Sequence, residues 1–180
     1  MEISLLYKNC LRIKGKRATF VFDPVSAKAT AGKPVDKLTY DATIVMAQPR
    51  ESLYIQPESV VIDGPGEYEI CGVKMSAVRD RDGGVVYTLV VDGVEIQIGK
   101  ISSLEKLQNK LKEQNVVVVY GDVVSNASFV ASLASNVVIF YGDQASELAS
   151  SIGKENVEAV SKFSVTHDKL PQEVETVVLG

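Results

Sequence analysis

The chain has a single histidine, His167, in the stretch S-V-T-H-D-K-L-P. An imidazole base needs a positioned partner and a substrate pocket. Asp168, its neighbour, cannot orient it by adjacency alone, so the segment reads as a solvated tail loop. Cys10 and Cys71 fall within strand-like runs far from His167 in sequence, which gives a Cys–His nucleophile little support. Both read as buried thiols, and two cysteines without C-x-x-C spacing make no disulfide framework. No G-x-S-x-G occurs, and G-D-V-V-S-N-A-S lacks the lysine and spacing of a phosphate loop. Glu67 and Glu69 flank Tyr68 on one strand, so both project from one face and could pair as acid and base. The preceding Gly64-Pro65-Gly66 demands a special backbone path, which accounts for the block Asp63, Gly64, Pro65, Gly66, Glu67, Tyr68 as a structural motif without chemistry. Asp122 and Asp143 each follow a glycine at the end of an apolar run, where α/β proteins place sites. The plainer reading is that each caps the helix that follows it.

Composition narrows the classes. A length of 180 residues suits one domain, residues 1–180, with a substantial core. No apolar run approaches the ~18 residues of a membrane span, and M-E-I-S-L-L-Y-K-N-C is too short and polar for a signal peptide. These features lead us to expect a cytoplasmic protein with no membrane partner. The net charge is −4. It is uneven, with eight Lys/Arg against three Asp/Glu over residues 1–40, or +5, which leaves −9 for the remainder. The basic cluster Lys14-Gly15-Lys16-Arg17 reads as a hairpin turn. An acidic whole without interleaved aromatics argues against a nucleic-acid interface.

The elements that would position a site fall into two halves. I-S-L-L-Y, C-L-R-I-K and A-T-F-V-F-D-P read as strands, the last stopped by Asp23-Pro24. Val25 to Lys37 reads as a loop. T-I-V-M-A and S-V-V-I-D-G are apolar runs expected of strands buried on both faces. Y-E-I-C-G and V-K-M-S-A-V follow, and Gly83-Gly84 turns the chain into V-V-Y-T-L-V-V. Asp92-Gly93 then marks a hairpin into V-E-I-Q-I. The second half alternates. A helix capped by Ser102 or Ser103 runs through S-L-E-K-L-Q-N-K-L-K-E-Q-N, then strand V-V-V-V-Y, helix N-A-S-F-V-A-S-L-A-S, strand N-V-V-I-F-Y, and helix Q-A-S-E-L-A-S-S-I-G. V-E-A-V, K-F-S-V and T-V-V-L close the chain as short strands. A hairpin-rich half before a βαβα half predicts two sheets packed face to face with helices outside.

The block V-V-I-D-G-P-G-E-Y-E-I-C-G-V-K-M, Val60 to Met75, resembles the metallo-β-lactamase-fold family. The similarity is to its small bacterial branch related to L-ascorbate-6-phosphate lactonase. The opening L-L-Y-K-N-C-L-R-I-K-G-K-R-A-T-F-V-F-D-P and the tail from Val157 to Gly180 are similar to that branch in the same order. The resemblance implies an α/β fold, specifically a four-layer αββα sandwich with two mixed sheets and outer helices. It also implies hydrolysis by one or two metal ions, usually zinc, that lower the pKa of bound water.

The ligand positions that the resemblance implies are not filled by ligands. The H-x-H-x-D-H motif should follow T-I-V-M-A. Gln48 stands at the first histidine, Arg50 at the second, Ser52 at the aspartate and Leu53 at the third. Arg50 is a permanent cation and repels a metal, and Leu53 has no lone pair. Lys100 follows Gly99 where the bridging aspartate is expected, and Gly142 takes a later histidine position. The sequence therefore predicts a degenerate, non-catalytic member with a binding, scaffolding or regulatory role. No zinc or other cofactor is expected. The former pit would hold Gln48, Arg50, Glu51, Lys100, Asp122 and Asp143, and the partner, a second copy or another protein, is unspecified. The alternative is a metal-dependent hydrolase of an ester, lactone or phosphodiester with a carboxylate site on Glu51, Asp122 and Asp143, a donor set that favours Mg²⁺ or Mn²⁺.

Overall fold

β-Branched and aromatic residues dominate the runs that become strands, and turn residues separate them. The computed structural model describes residues 1–7, 9–24, 38–47, 50–125, 127–133, 135–154 and 157–180, with Arg50 described by its backbone alone. β1 (Glu2–Tyr7), β2 (Cys10–Lys14) and β3 (Thr19–Phe22) pair antiparallel in order. The basic turn between β2 and β3 closes with Gly15 N–H donating to Ala18 O at 2.9 Å. β4 (Ala42–Ile44) and β5 (Val60–Ile62) then add parallel to β3.

The second sheet begins with β6 (Gly66–Ile70), β7 (Val73–Arg79), β8 (Val85–Val91) and β9 (Val94–Lys100), an antiparallel meander. Two of its turns have two residues each in the left-handed region, Cys71-Gly72 at φ 50° and 76° and Asp92-Gly93 at φ 53° and 80°. That backbone matches the right-handed twist of paired strands. α1 (Ile101–Leu107), β10 (Val116–Tyr120), α2 (Ala127–Ala131), β11 (Val137–Tyr141) and α3 (Ala145–Ser151) continue, with β10 and β11 parallel to β9. β12 (Lys162–Ser164) returns to pair with β1, and β13 (Glu175–Val178) adds beside β11. The two mixed sheets run β12-β1-β2-β3-β4-β5 and β13-β11-β10-β9-β8-β7-β6.

One core lies between the sheets, where Ile13, Phe20, Phe22 and Ile44 meet Leu89, Ile96, Ile98, Val118 and Ile139. A second lies outside the second sheet, where Ile101, Leu104, Phe129 and Leu148 cover Val117, Val119, Val138 and Phe140. V-V-V-V-Y and V-V-I-F-Y are continuous apolar runs because every residue of β10 and β11 is buried. This is the expected α/β sandwich of two packed mixed sheets, with its described helices on the second sheet. On the outer face of the first sheet, Cys10, Val21 and Tyr40 pack together. The loop expected at Val25–Lys37 lies outside the described residues.

Several expectations need correction. β5 is an edge strand rather than one buried on both faces, and its Val60 is 48% exposed. β4 stops at Ile44 although the apolar run continues through Ala47, because after Val45, whose N–H still donates to Ile62 O, the amides of Met46 and Ala47 bond to a side chain instead of a ladder. The helix expected through Asn115 ends at Leu107 and tightens into a 3-10 turn at Gln108–Lys110, whose residues are all exposed. Without an apolar face to bury there, the backbone turns extended at Leu111. Lys100, not Ser102 or Ser103, occupies the cap position of α1. Of V-E-A-V, only Val160 joins a sheet, through an isolated bridge to Leu179. Cys71 is exposed in its turn, while Cys10 is buried as expected.

The two faces of the β8–β9 hairpin should respond differently to substitution. Ile98→Ala, between the sheets, should lower unfolding free energy by about 2–5 kcal/mol. Val90→Ala, 43% exposed, should change it by under about 0.5 kcal/mol in the same urea titrations.

Candidate functional site

Parallel strands place their C-terminal ends on one edge of the sandwich, and side chains from both sheets meet there. β3 ends at Asp23, which is fully buried and has a left-handed φ of 47°. Its carboxylate accepts from Met46 N–H at 2.8 Å and Ala47 N–H at 2.7 Å. These are the amides just beyond β4, so Asp23 fixes the path into the segment where the resemblance implied a metal-binding motif. The same segment is held from two more directions. Tyr87 Oη donates to Val45 O at 2.9 Å, and Tyr54 N–H donates to Pro24 O at 2.7 Å.

Three tyrosines of the second sheet line this edge. Tyr87 packs edge-on to Phe22, with ring centroids 6.1 Å apart. The Tyr120 and Tyr141 rings lie 5.3 Å apart at 54°. Tyr120 Oη accepts from Asn9 Nδ2 at 2.9 Å, which links the β1–β2 turn to the end of β10. Tyr141 Oη is buried and has no hydrogen-bond partner among the described residues. Burial pushes all three phenols up, and the Asp23 carboxylate adds to the shift in each. Asp63 and Tyr68 also raise Tyr87, which puts the D-G-P-G-E-Y block beside the same edge.

Most of the predicted site residues can be placed. Lys100 ends β9 beside Tyr120 in register. Asp122 lies just past β10 and accepts from Ser102 Oγ at 2.6 Å and Ser102 N–H at 3.3 Å. It therefore caps the first turn of the preceding helix α1, whereas the sequence suggested the helix after it. Asp143 is exposed just past β11, near enough to Tyr120 to raise its phenol. Gly142 has φ 93°, and a Cβ there would stand 2.7 Å from the Tyr120 ring. The ring thus takes the volume next to the position where the resemblance implied a histidine. Glu51 is exposed in the 3-10 turn Arg50–Ser52. Gln48 and the Arg50 side chain lie outside the described residues.

The remaining candidates are elsewhere. The β-carbon of His167 would be 3.8 Å from one on Gly93. Gly93 turns the chain into β9 and Lys100 ends that strand, so a rise of ~3.3 Å per residue sets His167 about 20 Å from the tyrosines. Glu67 and Glu69 are exposed on the edge strand β6. Tyr68 folds back so that its hydroxyl donates to Gly64 O at 3.0 Å, which ties the D-G-P-G turn to the strand it opens. Cys71 Sγ lies 3.6 Å from Asp41 Oδ1, and that carboxylate raises the thiol, the reverse of what a nucleophile needs. Sequence reading missed Asp23, Tyr87, Tyr120 and Tyr141. The one available signal was an aspartate closing a strand directly before proline.

Among solved structures the chain is similar to a proposed Zn-dependent hydrolase of the metallo-β-lactamase superfamily from Thermotoga maritima. The TM-score is 0.73 at 20% identity, over 99% of this chain and 97% of that one. It is also similar to the metallo-β-lactamase-fold protein YhfI of Bacillus subtilis, with TM-score 0.58, 5% identity and coverage of 98% and 95%. Isothiocyanate hydrolase from Delia radicum gut bacteria gives TM-score 0.59 at 11% identity, over 92% and 100%. At these identities the likeness establishes the fold. No family model matches the sequence, and no curated protein matches it significantly.

The site predicts a contrast between two tyrosines. Tyr87→Phe should lose about 1 kcal/mol by removing a satisfied bond, whereas Tyr141→Phe should be neutral or stabilising by up to about 1 kcal/mol. Asp23→Ala should lose about 3 kcal/mol by leaving two amides unpaired. It should also speed hydrogen exchange at Met46 and Ala47.

Alkaline pH gives a further prediction. Tyr40, Tyr87, Tyr120 and Tyr141 all hold their protons more tightly when folded. Their contribution to stability is complete below the ordinary tyrosine value of about 10 and is lost as pH rises through the raised native values. In an absorbance titration these four of the seven tyrosines should ionise together with unfolding, not as free phenols do.

Proposed function

We propose that this chain is a degenerate metallo-β-lactamase-fold protein, a cytoplasmic bacterial relative of the L-ascorbate-6-phosphate lactonase branch, that binds or scaffolds rather than hydrolyses. The observation that carries this reading is the state of the donors at the strand ends. Asp23 directs its oxygens at two backbone amides, Asp122 directs its own at Ser102, and the Tyr120 ring covers Gly142. A zinc centre needs three or four imidazole, thiolate or carboxylate ligands converging on one point. Among the described residues no three His, Cys, Asp or Glu side chains do so. Lys100 adds a cation to the same edge. The residues present do not fit the ions that such a hydrolase uses.

What remains is an edge carrying phenols, a lysine and the exposed carboxylates Glu51 and Asp143. That chemistry suits recognition of a partner surface, either a second copy of the chain or another protein. The competing reading is a Mg²⁺- or Mn²⁺-dependent hydrolase using Glu51, Asp122 and Asp143, and one set of measurements separates the two. Purified protein should contain substoichiometric metal by elemental analysis, and its melting temperature should not move on adding Zn²⁺ or Mn²⁺. A ligand specific for the native state must raise apparent stability. It should also leave a phosphodiester substrate intact in Mn²⁺. Stoichiometric bound metal with turnover overturns the proposal.

A further inference from the structure

Outside the second sheet, the short helices leave part of the strand surface uncovered. A cavity of about 180 Å³ opens there, between α1 with its following 3-10 turn and α2. Leu104, Leu111, Val117, Phe129 and Leu133 line it. Gln97 belongs to the same lining and is its one buried polar member, the other polar residues there being exposed. It pairs in register with Val117 on one side and Thr88 on the other, so it sits within the sheet and not at an edge. It is only 4% exposed, and its Nε2 has no hydrogen-bond partner among the described residues.

A leucine there would cover similar area with no polar group to satisfy, and a buried amide without a partner opposes folding. Apolar side chains around a small number of polar groups are the usual lining of a small-molecule site. An apolar cavity of about 150 Å³ takes one benzene ring, so this one holds a ring or branched chain plus a small head group. Lys112 and Glu113 stand together at the lining and offset each other, which favours a neutral ligand. A carboxamide both donates and accepts, and it is best matched by a group that does the same.

We propose that the cavity is a binding site for a compact, neutral, apolar molecule bearing one carboxamide or similar carbonyl head, oriented by Gln97. The site lies outside the second sheet, away from the strand-end edge between the sheets, so it does not depend on whether that edge binds metal.

Benzamide is the probe, followed by heteronuclear NMR on the whole chain, with benzoate and toluene as comparisons. Benzamide should shift the Gln97 side-chain amide and the resonances of Val117 and Phe129 saturably, and more tightly than either comparison compound. Gln97→Leu should weaken benzamide at least tenfold and strengthen toluene. Unmoved resonances up to the solubility limit, meaning a cavity filled by water only, would overturn the proposal, as would equal benzamide binding by Gln97→Leu. If that variant loses spectral dispersion, Ser132→Phe decides the matter. It keeps Gln97 but fills the lining from an exposed position, and it should abolish binding. Retained binding in a folded Ser132→Phe protein refutes the site.

Discussion

A carboxylate with no access to water must find donors inside the protein, and Asp23 finds them in the chain just beyond the neighbouring strand. Its bonds to Met46 and Ala47 N–H end β4, set where the following segment leaves the sheet, and hold β3 and β4 at a common edge. Burying an ionised group is tolerated only when its lone pairs are filled, so the interaction is obligatory once Asp23 is enclosed. The left-handed backbone of Asp23 belongs to the same arrangement, because it turns the side chain back toward β4 as the chain leaves β3.

The tyrosines on the opposite sheet follow from that constraint. Tyr87 satisfies the Val45 carbonyl between β4 and the two anchored amides, so the segment is held from both sheets. Tyr120 fills the space over Gly142 and takes a hydrogen bond from Asn9. Tyr141 stacks behind it with its hydroxyl enclosed. Together they turn the mouth of the sandwich into packed aromatic volume with neutral polar tips. Among the described residues the central carboxylate faces backbone amides, and phenols occupy its surroundings.

The outer face of the same sheet shows the converse arrangement. There the short helices leave a gap, and Gln97 rather than an aliphatic side chain stands in its lining on the strand side. Among the described residues, Tyr120 and Tyr141 pack the strand-end edge, while the helix-covered face keeps an opening.

Much of the fold was legible in the sequence. Alternating polarity, Asp92-Gly93 and Gly83-Gly84 set the hairpins, and the unbroken runs at Val116–Tyr120 and Val137–Tyr141 identified strands buried on both faces. Such features are local, fixed by backbone sterics and by side-chain periodicity. That Gln48, Arg50 and Leu53 include no imidazole or carboxylate was equally a matter of residue type. Tertiary structure decided what sequence spacing cannot encode. It made Asp23 an anchor by enclosing it against amides more than twenty positions away. It turned Asp122 back to the preceding helix through Ser102, and it brought Tyr87, Tyr120 and Tyr141 from three strands to one edge. The early end of α1 and the exposure of β5 likewise depended on what each segment packs against. Burial and through-space pairing are properties of the assembled sheets, and they settled the character of the edge that the sequence could only locate.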